Sequence, residues 1–496
     1  MLLLGIDIGT SSIKVSVVDA ATQECMASAQ YPETESGITS LQPGWAEQSP
    51  EMWWLHVQKA ILKVHASKKY DPKDIGAIGI AYQMHGLVLI DKNQQVLRDS
   101  IIWCDSRAVA IGNNAFLSIG EINCLSTLLN SPGNFTASKL AWVKENEPAV
   151  YEKIHEVLLP GDYIAMKLSG QTTTTVSALS EGIFWNFAKH ELSKEVFKYY
   201  GFDTTIIPSI KKVFDTHGLL KEEVAAALSL KANIPIAYKA GDQLNNALSL
   251  NVLQPGEIAA TAGTSGVIYS VSDTLTFDKQ SRVNTFAHVN HTEQQNRLGI
   301  LLCINGTGIM NSWIRNMSGA HLTYTQINDA ARQVNPGSDG LSVLPFGNGA
   351  ERMLNNKTIQ AHMHHIDLNK HTPAHIFRAG QEGIAFAFRY GLDIMRENGL
   401  QPTVIRAGRA NLFLSDVFTE AFVNATNVPV ELYECDGSVG AAIGAGLGAN
   451  VYQTEKEAFI NMKRLQYIEP VKSLAYNDLY TGWKRLLLNQ IEKYNY

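Results

Sequence analysis

Short stretches in which apolar residues dominate or alternate with polar ones recur along the chain and predict β-strands. Residues 5–18 and 74–90 show this pattern near the start, and residues 258–269 repeat it at mid-chain. In the first and the last of these stretches, two predicted strands are joined by glycine and small hydroxyl residues. Such a connection predicts a hairpin, because glycine tolerates a positive φ. The chain therefore carries a similar strand pair in each half.

Apolar residues at helical spacing lie between the predicted strands. Ser49 followed by Pro50 predicts a helix start, because serine caps the first turn and proline fits its first position. The clearest predicted helix spans residues 373–398 and is ended by Gly399, and residues 437–446 form a helix rich in small residues. Strands that alternate with helices predict an α/β fold.

The length of the chain indicates two domains. At 496 residues and 54.5 kDa, it exceeds what a single ordinary hydrophobic core accommodates. The strand pattern begins again after Pro255, and no low-complexity linker separates the two halves. We expect α/β domains at about residues 1–250 and 251–496, with a cleft between them.

Composition and charge narrow the classes of partner. A net charge of −6 and an isoelectric point near 6.2 leave no extended basic surface, so no nucleic-acid partner is expected. No stretch approaches the roughly 20 apolar residues of a membrane span, and the first residues lack a basic leader. The cysteines are widely spaced, and we expect reduced thiols in a cytoplasmic protein. A homodimer is left open.

Five tryptophans and five histidines are assigned structural roles. The tryptophans stand in apolar contexts and are predicted to be core residues: Trp53, Trp54, Trp142, Trp185 and Trp313. The histidines are irregularly spaced in a polar loop and at a helix start, which argues against a zinc site: His362, His364, His365, His371 and His375.

The two glycine-containing turns suit a phosphate group. Backbone N–H groups converge on an anion in such turns, and hydroxyl side chains add donors. Asp7 lies inside the first apolar strand, where a carboxylate is costly to bury without a cation or donors, and this favours a role near Mg²⁺. Two such turns, facing each other, would hold a polyphosphate from both sides.

Residues 7–14 and 262–266 resemble the two phosphate motifs of the actin, hexokinase and chaperone ATPase superfamily. The resemblance implies two ribonuclease-H-like domains, of the actin-like ATPase type, around a central cleft that binds ATP. It implies that Asp7 holds Mg²⁺ through water. The ATP contacts that it implies are Thr10, Ser11, Ser12, Lys14, Gly263 and Thr264.

Asp242 follows a predicted strand and precedes a predicted helix. Ligands of α/β domains lie outside the carboxyl ends of strands, so this aspartate is well placed to meet a substrate. The alternative role is a helix N-cap. The next residue, Gln243, adds polar reach and favours a site.

The chain resembles the FGGY carbohydrate kinases from Leu4 to about Val451. In that family the residue equivalent to Asp242 is the general base that accepts the proton of the attacking sugar hydroxyl. Residues 83–86, 102–107 and 158–163 resemble the xylulose kinase branch in particular. The sugar-pocket residues that the resemblance implies are Gln83, Met84, His85, Trp103, Asp105 and Gln243.

For the adenosine side, the resemblance implies Gly308, Gly408 and Asn411. Here the chain departs from the family, many of whose members carry a triple-glycine turn. Residues 406–411 contain Arg406 and Arg409 instead, which predicts altered purine contacts.

The function implied is phosphorylation of D-xylulose at the 5-position by ATP with Mg²⁺. A kinase for another ketose or polyol, such as ribulose, a deoxy-ketohexose or glycerol, remains an alternative, because a few pocket contacts decide specificity. A second alternative is an actin-like ATPase module without a sugar site.

Overall fold

The computed structural model describes residues 1–471 and 475–494. The strands of the first half are β1 Leu2–Ile8, β2 Ile13–Asp19, β3 Cys25–Tyr31, β4 Glu47–Gln48, β5 Ile75–Tyr82, β6 Val88–Ile90, β7 Ser100–Ile101, β8 Glu156–Leu158, β9 Thr173–Thr175, β10 Trp185–Asn186, β11 Glu191–Leu192, β12 Ser209–Lys211 and β13 Ile236–Gly241. The helices of this half are α1 Pro50–His65, α2 Val109–Ile119, α3 Glu121–Thr127, α4 Thr136–Asn146, α5 Pro148–Tyr151, α6 Pro160–Ser169, α7 Val176–Glu181, α8 Lys194–Tyr200, α9 Glu222–Ala227 and α10 Asp242–Ser249.

The second half continues with its own strands and helices. Its strands are β14 Glu257–Ala262, β15 Gly266–Ser272, β16 Asn284–Ala287, β17 Leu298–Ile304, β18 Ser342–Phe346, β19 Gln360–His364, β20 Val404–Gly408, β21 Val430–Tyr433 and β22 Arg464–Ile468. Its helices are α11 Gly308–Ser318, α12 Tyr324–Arg332, α13 Pro373–Glu397, α14 Asp416–Thr426, α15 Gly437–Gly448, α16 Glu455–Ala458 and α17 Tyr476–Lys493.

The main sheet of the first half has the strand order β13-β5-β1-β2-β3. Strands β1, β2 and β3 pair antiparallel, whereas β5 and β13 run parallel to β1. Asp7 on β1 lies opposite Lys14 on β2 and Ala81 on β5. The parallel strands β1, β5 and β13 therefore end at the same edge of the sheet.

The main sheet of the second half repeats this arrangement. Its order is β16-β17-β15-β14-β20-β21-β22, in which β14, β15 and β17 pair antiparallel and β20 and β21 run parallel to β14. The central five strands thus have the order of the first sheet, with β16 and β22 added at the edges. Each main sheet takes its strands from one half of the chain.

Helix α15 joins the halves, because it follows β21 of the second sheet but packs on β1, β5 and β13 of the first. A Cβ atom on Gly5 or Gly79 would lie 1.8 or 1.9 Å from a carbonyl oxygen of α15, so only glycine permits this approach. Helix α15 also packs against α10. The ends of β1 and β13 consequently lie beside the start of a helix from the second half.

Most of the predicted elements are confirmed. Both hairpins are present as β1–β2 and β14–β15, and the predicted long and small-residue helices are α13 and α15. The strand expected to begin near Ile234 begins at Ile236 instead, because Pro235 has no backbone N–H to pair. No helix in the described part of the chain is long and apolar enough to cross a membrane.

The prediction that five tryptophans belong to the core is wrong for one of them. Trp53 and Trp185 are buried, and Trp54 and Trp142 are partly buried. Trp313 is 51% exposed, because it lies on the outer side of the amphipathic helix α11. Within residues 1–471 and 475–494, no group of three or more metal-ligating side chains comes together, the five histidines included.

Candidate active site

The turn between β1 and β2 presents hydroxyl groups to solvent. The N–H of Gly9 donates to the carbonyl oxygen of Ser12 at 3.1 Å and closes the turn. Ser11 is exposed, and Thr10 and Ser12 are half-buried. The turn can therefore offer hydroxyl donors to an anion at the end of β1.

The turn between β14 and β15 lies against the start of α11. The N–H of Gly308 donates to the carbonyl oxygen of Gly263 at 2.9 Å, and the N–H of Ile309 donates to that of Thr264 at 3.0 Å. A Cβ atom on Gly308 would lie 2.3 Å from the Gly263 oxygen, so this contact requires glycine. Thr264 itself is exposed.

The residues predicted for the adenosine side lie near this second turn. A Cβ atom on Gly263 would lie 3.6 Å from the amide nitrogen of Asn411, and one on Gly408 would lie 3.2 Å from Cβ of Cys435. Gly263, Thr264, Gly308 and Asn411 are thus brought together, and Gly408 ends the neighbouring strand β20.

Arg406 and Arg409 have different environments. Arg406 lies within β20 and forms ion pairs with Glu431 at 2.9 Å and with Glu257 at 3.1 Å. It therefore ties neighbouring strands of the second sheet together. Arg409 is exposed just beyond the strand, so of the two arginines it is the one whose side chain is free to approach a ligand.

Three charged groups meet where the halves join. Lys14 donates to Asp436 at 2.7 Å, and a Cβ atom on Gly437 would lie 2.2 Å from a carboxylate oxygen of Asp7. Burial and the charge of Asp436 raise the pKa of Asp7 to about 6, with Lys14 opposing. Lys14 thus neutralises Asp436 rather than standing free, and Asp7 is the carboxylate that lacks an ion-pair partner.

Asp242 is the first residue of α10, directly after β13. The N-cap is Gly241, so the alternative in which Asp242 caps the helix is wrong. Burial, followed by the charge of Asp7, raises the pKa of Asp242 to about 7, although hydrogen bonds from Gln243 oppose the shift. A carboxylate with this pKa can accept a proton near neutral pH.

A hydrogen-bonded network links the first turn to β5. The Thr10 hydroxyl donates to Oε1 of Gln83 at 3.1 Å and accepts from the indole N–H of Trp103 at 2.9 Å. Gln83 in turn donates to Gln48 at 3.1 Å, and Gln48 donates to the carbonyl oxygen of Thr10 at 2.8 Å. Trp103 is 53% exposed, which leaves one ring face open beside the turn.

His85 follows β5 with a positive φ of 62°. Its ring packs edge-on against Phe135 at 4.8 Å and at a tilt against Phe286 at 5.5 Å, measured between centroids. Burial, together with the charges of Lys139 and Arg352, lowers the pKa of His85 to about 3, so the imidazole is neutral. Met84 beside it is buried.

Asp105 is placed in the wall behind the pocket rather than at its surface. It is fully buried, accepts from the backbone N–H of Ala46 at 2.6 Å and forms an ion pair with Arg107 at 2.8 Å. It therefore fixes the segment that carries Trp103. Among the predicted sugar contacts, Asp105 and Gln83 are both buried with their side chains hydrogen-bonded within the protein.

Both halves of the chain match models of one protein family. The N-terminal domain model of the FGGY family of carbohydrate kinases matches residues 2–249, and the C-terminal domain model matches residues 258–450. The chain belongs to the FGGY family of carbohydrate kinases. The xylulose kinase of Escherichia coli K12 is 26% identical over 463 residues, which cover 92% of each chain.

Two solved structures establish the fold of this FGGY protein. The xylulose kinase of Rhodospirillum rubrum superposes with a TM-score of 0.90 at 23% identity and 100% coverage of both chains. The Plasmodium falciparum glycerol kinase with ADP superposes with a TM-score of 0.87 at 19% identity, covering 99% of this chain and 98% of the other. The fold is thus the two-domain, actin-like ATPase fold.

Sequence reasoning missed several polar residues around the pocket of this FGGY chain. Gln48, Lys139 and Glu181 are buried beside the predicted sugar contacts. The only sequence signal for Lys139 and Glu181 is an ionisable residue among apolar or small neighbours in the same helix. Glu351 accepts from the backbone N–H of Asn305 at 3.0 Å and so supports the loop that leads to α11.

Proposed function

We propose that this protein transfers the terminal phosphoryl group of ATP to D-xylulose and forms D-xylulose 5-phosphate. The observation that carries the proposal is Asp242, a carboxylate at a strand end with a pKa raised to about 7, in the electrostatic field of Asp7. The xylulose kinases among the relatives support the choice of sugar.

Asp242 serves as the general base. Phosphoryl transfer needs an aligned nucleophile and stabilisation of charge on the phosphoryl oxygens, and little covalent help. Asp242 orients the acceptor hydroxyl and takes its proton, which contributes roughly 10²–10⁴ in rate. Because the base must be ionised, kcat/KM for the sugar should fall as the pH drops below about 7.

The two turns hold the phosphates of ATP from opposite sides. Ser11 and Ser12 supply hydroxyl donors from the first half, and Thr10 contributes its backbone N–H, because its hydroxyl donates to Gln83. Gly263 and Thr264 supply donors from the second half. Gly308, Gly408 and Asn411 surround the adenosine. Gln83, Met84, His85, Trp103 and Gln243 line the sugar pocket, and Asp105 supports it from behind.

The residues present fit a Mg²⁺ ion. Asp7 is a carboxylate without an ion-pair partner, and burial and the charge of Asp436 raise its pKa, a cost that a cation would relieve. We propose that Asp7 holds Mg²⁺ through water. The ion, when bound, neutralises charge on the phosphate oxygens. Asp7 itself orients the water ligands and keeps its negative charge at the end of β1.

We propose that the two domains close on each other when ATP and the sugar bind. Turns from both halves that bind one ATP would draw the domains together, exclude water and limit idle hydrolysis. Small-angle scattering should show a smaller radius of gyration with a non-hydrolysable ATP analogue and xylulose than without ligands. An unchanged radius would contradict closure.

The acceptor is tested by a phosphorylation screen. Xylulose, ribulose, a deoxy-ketohexose and glycerol are each incubated with MgATP, and the product is identified by mass spectrometry. Xylulose should give the highest kcat/KM. A different sugar at the top would select the first alternative, which the glycerol kinase fold neighbour keeps open. ADP release that no sugar stimulates would select the ATPase module instead.

We also propose a cytoplasmic location, because the five cysteines are all free, as is usual in a reducing compartment. A homodimer stays an open alternative to a single chain. Light scattering of the purified protein measures the mass directly, and a mass of a single chain would contradict the homodimer.

A further inference from the structure

The main chain of His85 is held from both sides by two buried side chains, those of Glu181 and Lys139. Its N–H donates to Oε1 of Glu181 at 3.4 Å, and its carbonyl oxygen accepts from Nζ of Lys139 at 2.8 Å. A φ of 62° is uncommon for a residue with a side chain and persists where the surroundings fix it. Glu181 and Lys139 are those surroundings.

Among the described residues, neither Lys139 nor Glu181 has an ion-pair partner, and each contacts the main chain of His85 instead. Lys139 and Glu181 are both fully buried. Lys139 also donates to the carbonyl oxygen of Ile102 at 3.0 Å, so it ties the His85 segment to the segment that carries Trp103. Oε2 of Glu181 is buried without a hydrogen-bond partner in the described structure. Burial raises the pKa of Glu181 well above its usual range and lowers the pKa of Lys139 to about 7, so burying these two groups is costly, which indicates a role beyond packing.

A separate contact, to the main chain of Glu181, fixes the tautomer of His85. Nδ1 of the ring lies 3.2 Å from the carbonyl oxygen of Glu181. A carbonyl oxygen can only accept, so Nδ1 must carry the hydrogen. The ring is neutral, since burial lowers its pKa to about 3. Nε2 therefore has a free lone pair, and Phe135 and Phe286 hold the ring plane.

We propose that Lys139 and Glu181 are positioning residues that hold His85 as a neutral imidazole whose Nε2 accepts a hydrogen bond from a hydroxyl group of the sugar. The inference rests on the proposed function, in which His85 lines the sugar pocket. It deepens that function, because Nε2 without a hydrogen favours ligands that place a hydroxyl donor next to it. A sugar analogue in which this hydroxyl is replaced by hydrogen or a methoxy group should bind poorly.

The first test separates sugar binding from nucleotide binding. Lys139→Met keeps a side chain of similar length but removes the hydrogen bonds to the carbonyl oxygens of His85 and Ile102. Glu181→Leu removes the carboxyl oxygen that accepts from the N–H of His85. We expect each to raise the sugar KM about tenfold or more, with the KM for ATP within about twofold of wild type. Glu181→Gln keeps an acceptor oxygen and should recover most of the loss. Lys144→Met is the matched control on α4, because Lys144 donates to the carbonyl oxygens of Tyr200 and Gly201 and lies over the rings of Tyr151 and Phe202, and none of these contacts involves His85.

The second test needs no substrate and no substitution of Lys139 or Glu181. Nitrogen-15 NMR of the folded, ligand-free protein, with His85→Asn to assign the signals, should show the Nδ1–H tautomer at His85 from pH 6 to 8. A proton on Nε2 would overturn the inference, as would equal increases of both KM values in Lys139→Met and Glu181→Leu. If no sugar is phosphorylated, the proposed function fails, but the tautomer measurement still decides the inference.

Discussion

The two halves of the molecule share one strand order and one kind of turn but differ in charge at equivalent points. Asp7 stands two residues before Gly9 in the first turn, and Thr261 stands two residues before Gly263 in the second. The first half therefore places a carboxylate where the second places a neutral hydroxyl. Thr261 is satisfied by a hydrogen bond from Asn246 at 3.3 Å, whereas Asp7 meets an environment that raises its pKa.

The helix starts that follow the two sheets differ in the same way. Asp242 begins α10, and burial and Asp7 raise its pKa. Asp436 precedes α15; burial would raise its pKa too, but hydrogen bonds from Lys14 and Ser438 outweigh burial and lower it. The first half thus carries two carboxylates with raised pKa values, whereas at the equivalent points the second half carries a neutral hydroxyl and a carboxylate that is already paired.

The largest effect should come from removing the base in the first half. Asp242→Asn should lower kcat for sugar phosphorylation by about 10²–10⁴ and leave the Kd of ATP nearly unchanged, because in the proposed mechanism Asp242 acts on the acceptor and not on the nucleotide. A coupled ADP assay and calorimetry measure the two quantities. Asp416→Asn is the matched control, since Asp416 stands in the first turn of α14 but is exposed on the other half. Turnover near wild type in Asp242→Asn would refute the assigned role.

A substitution in the second half should act on the nucleotide instead. In Gly308→Ala the new Cβ would clash with the Gly263 carbonyl oxygen and displace the second turn. We expect the KM for ATP to rise about tenfold, with the sugar KM within about twofold. Gly482→Ala is the control, because that helical glycine has open space around it. An equal rise in the KM for ATP and the KM for the sugar would contradict the hypothesis that the second turn acts mainly on the nucleotide.

Two exposed tryptophans, one in each half, provide a test with a smaller expected effect on the sugar KM. Trp103→Phe loses the indole N–H that donates to Thr10, whereas Trp313→Phe changes a ring on the outside of α11. We expect Trp103→Phe to raise the sugar KM about fivefold, as for one lost hydrogen bond, and Trp313→Phe to change neither KM. Steady-state kinetics with each substrate varied in turn measures both KM values. Equal sugar KM values for the two variants would contradict the proposed position of Trp103 in the sugar pocket.

These contrasts also mark what the sequence could predict. The hairpins, α13 and α15 follow from local periodicity, glycine and capping, which are properties of neighbouring residues. The sheet placement of Arg406 depends on partners about 150 and 25 residues away, Glu257 and Glu431, which no local pattern reveals. The burial of Asp105 and the hydrogen bond from Lys139 to His85 are likewise long-range, so no local pattern indicated the buried residues that support the predicted pocket.

The smallest effect concerns stability, and its sign distinguishes Asp7 from Asp436. The folded pKa of Asp7, about 6, exceeds its unfolded value of 3.8, so its stabilising contribution is full below pH 3.8 and lost as the pH rises through 6. Asp7→Asn should therefore stabilise the ligand-free protein at pH 8, by on the order of 2 kcal/mol, and less at pH 5. The lowered pKa of Asp436 predicts the opposite: Asp436→Asn should destabilise the protein at both pH values. Urea unfolding without nucleotide or Mg²⁺ measures both, and a loss of stability in Asp7→Asn at pH 8 would mean that Asp7 is satisfied within the protein and is not held ready for a cation.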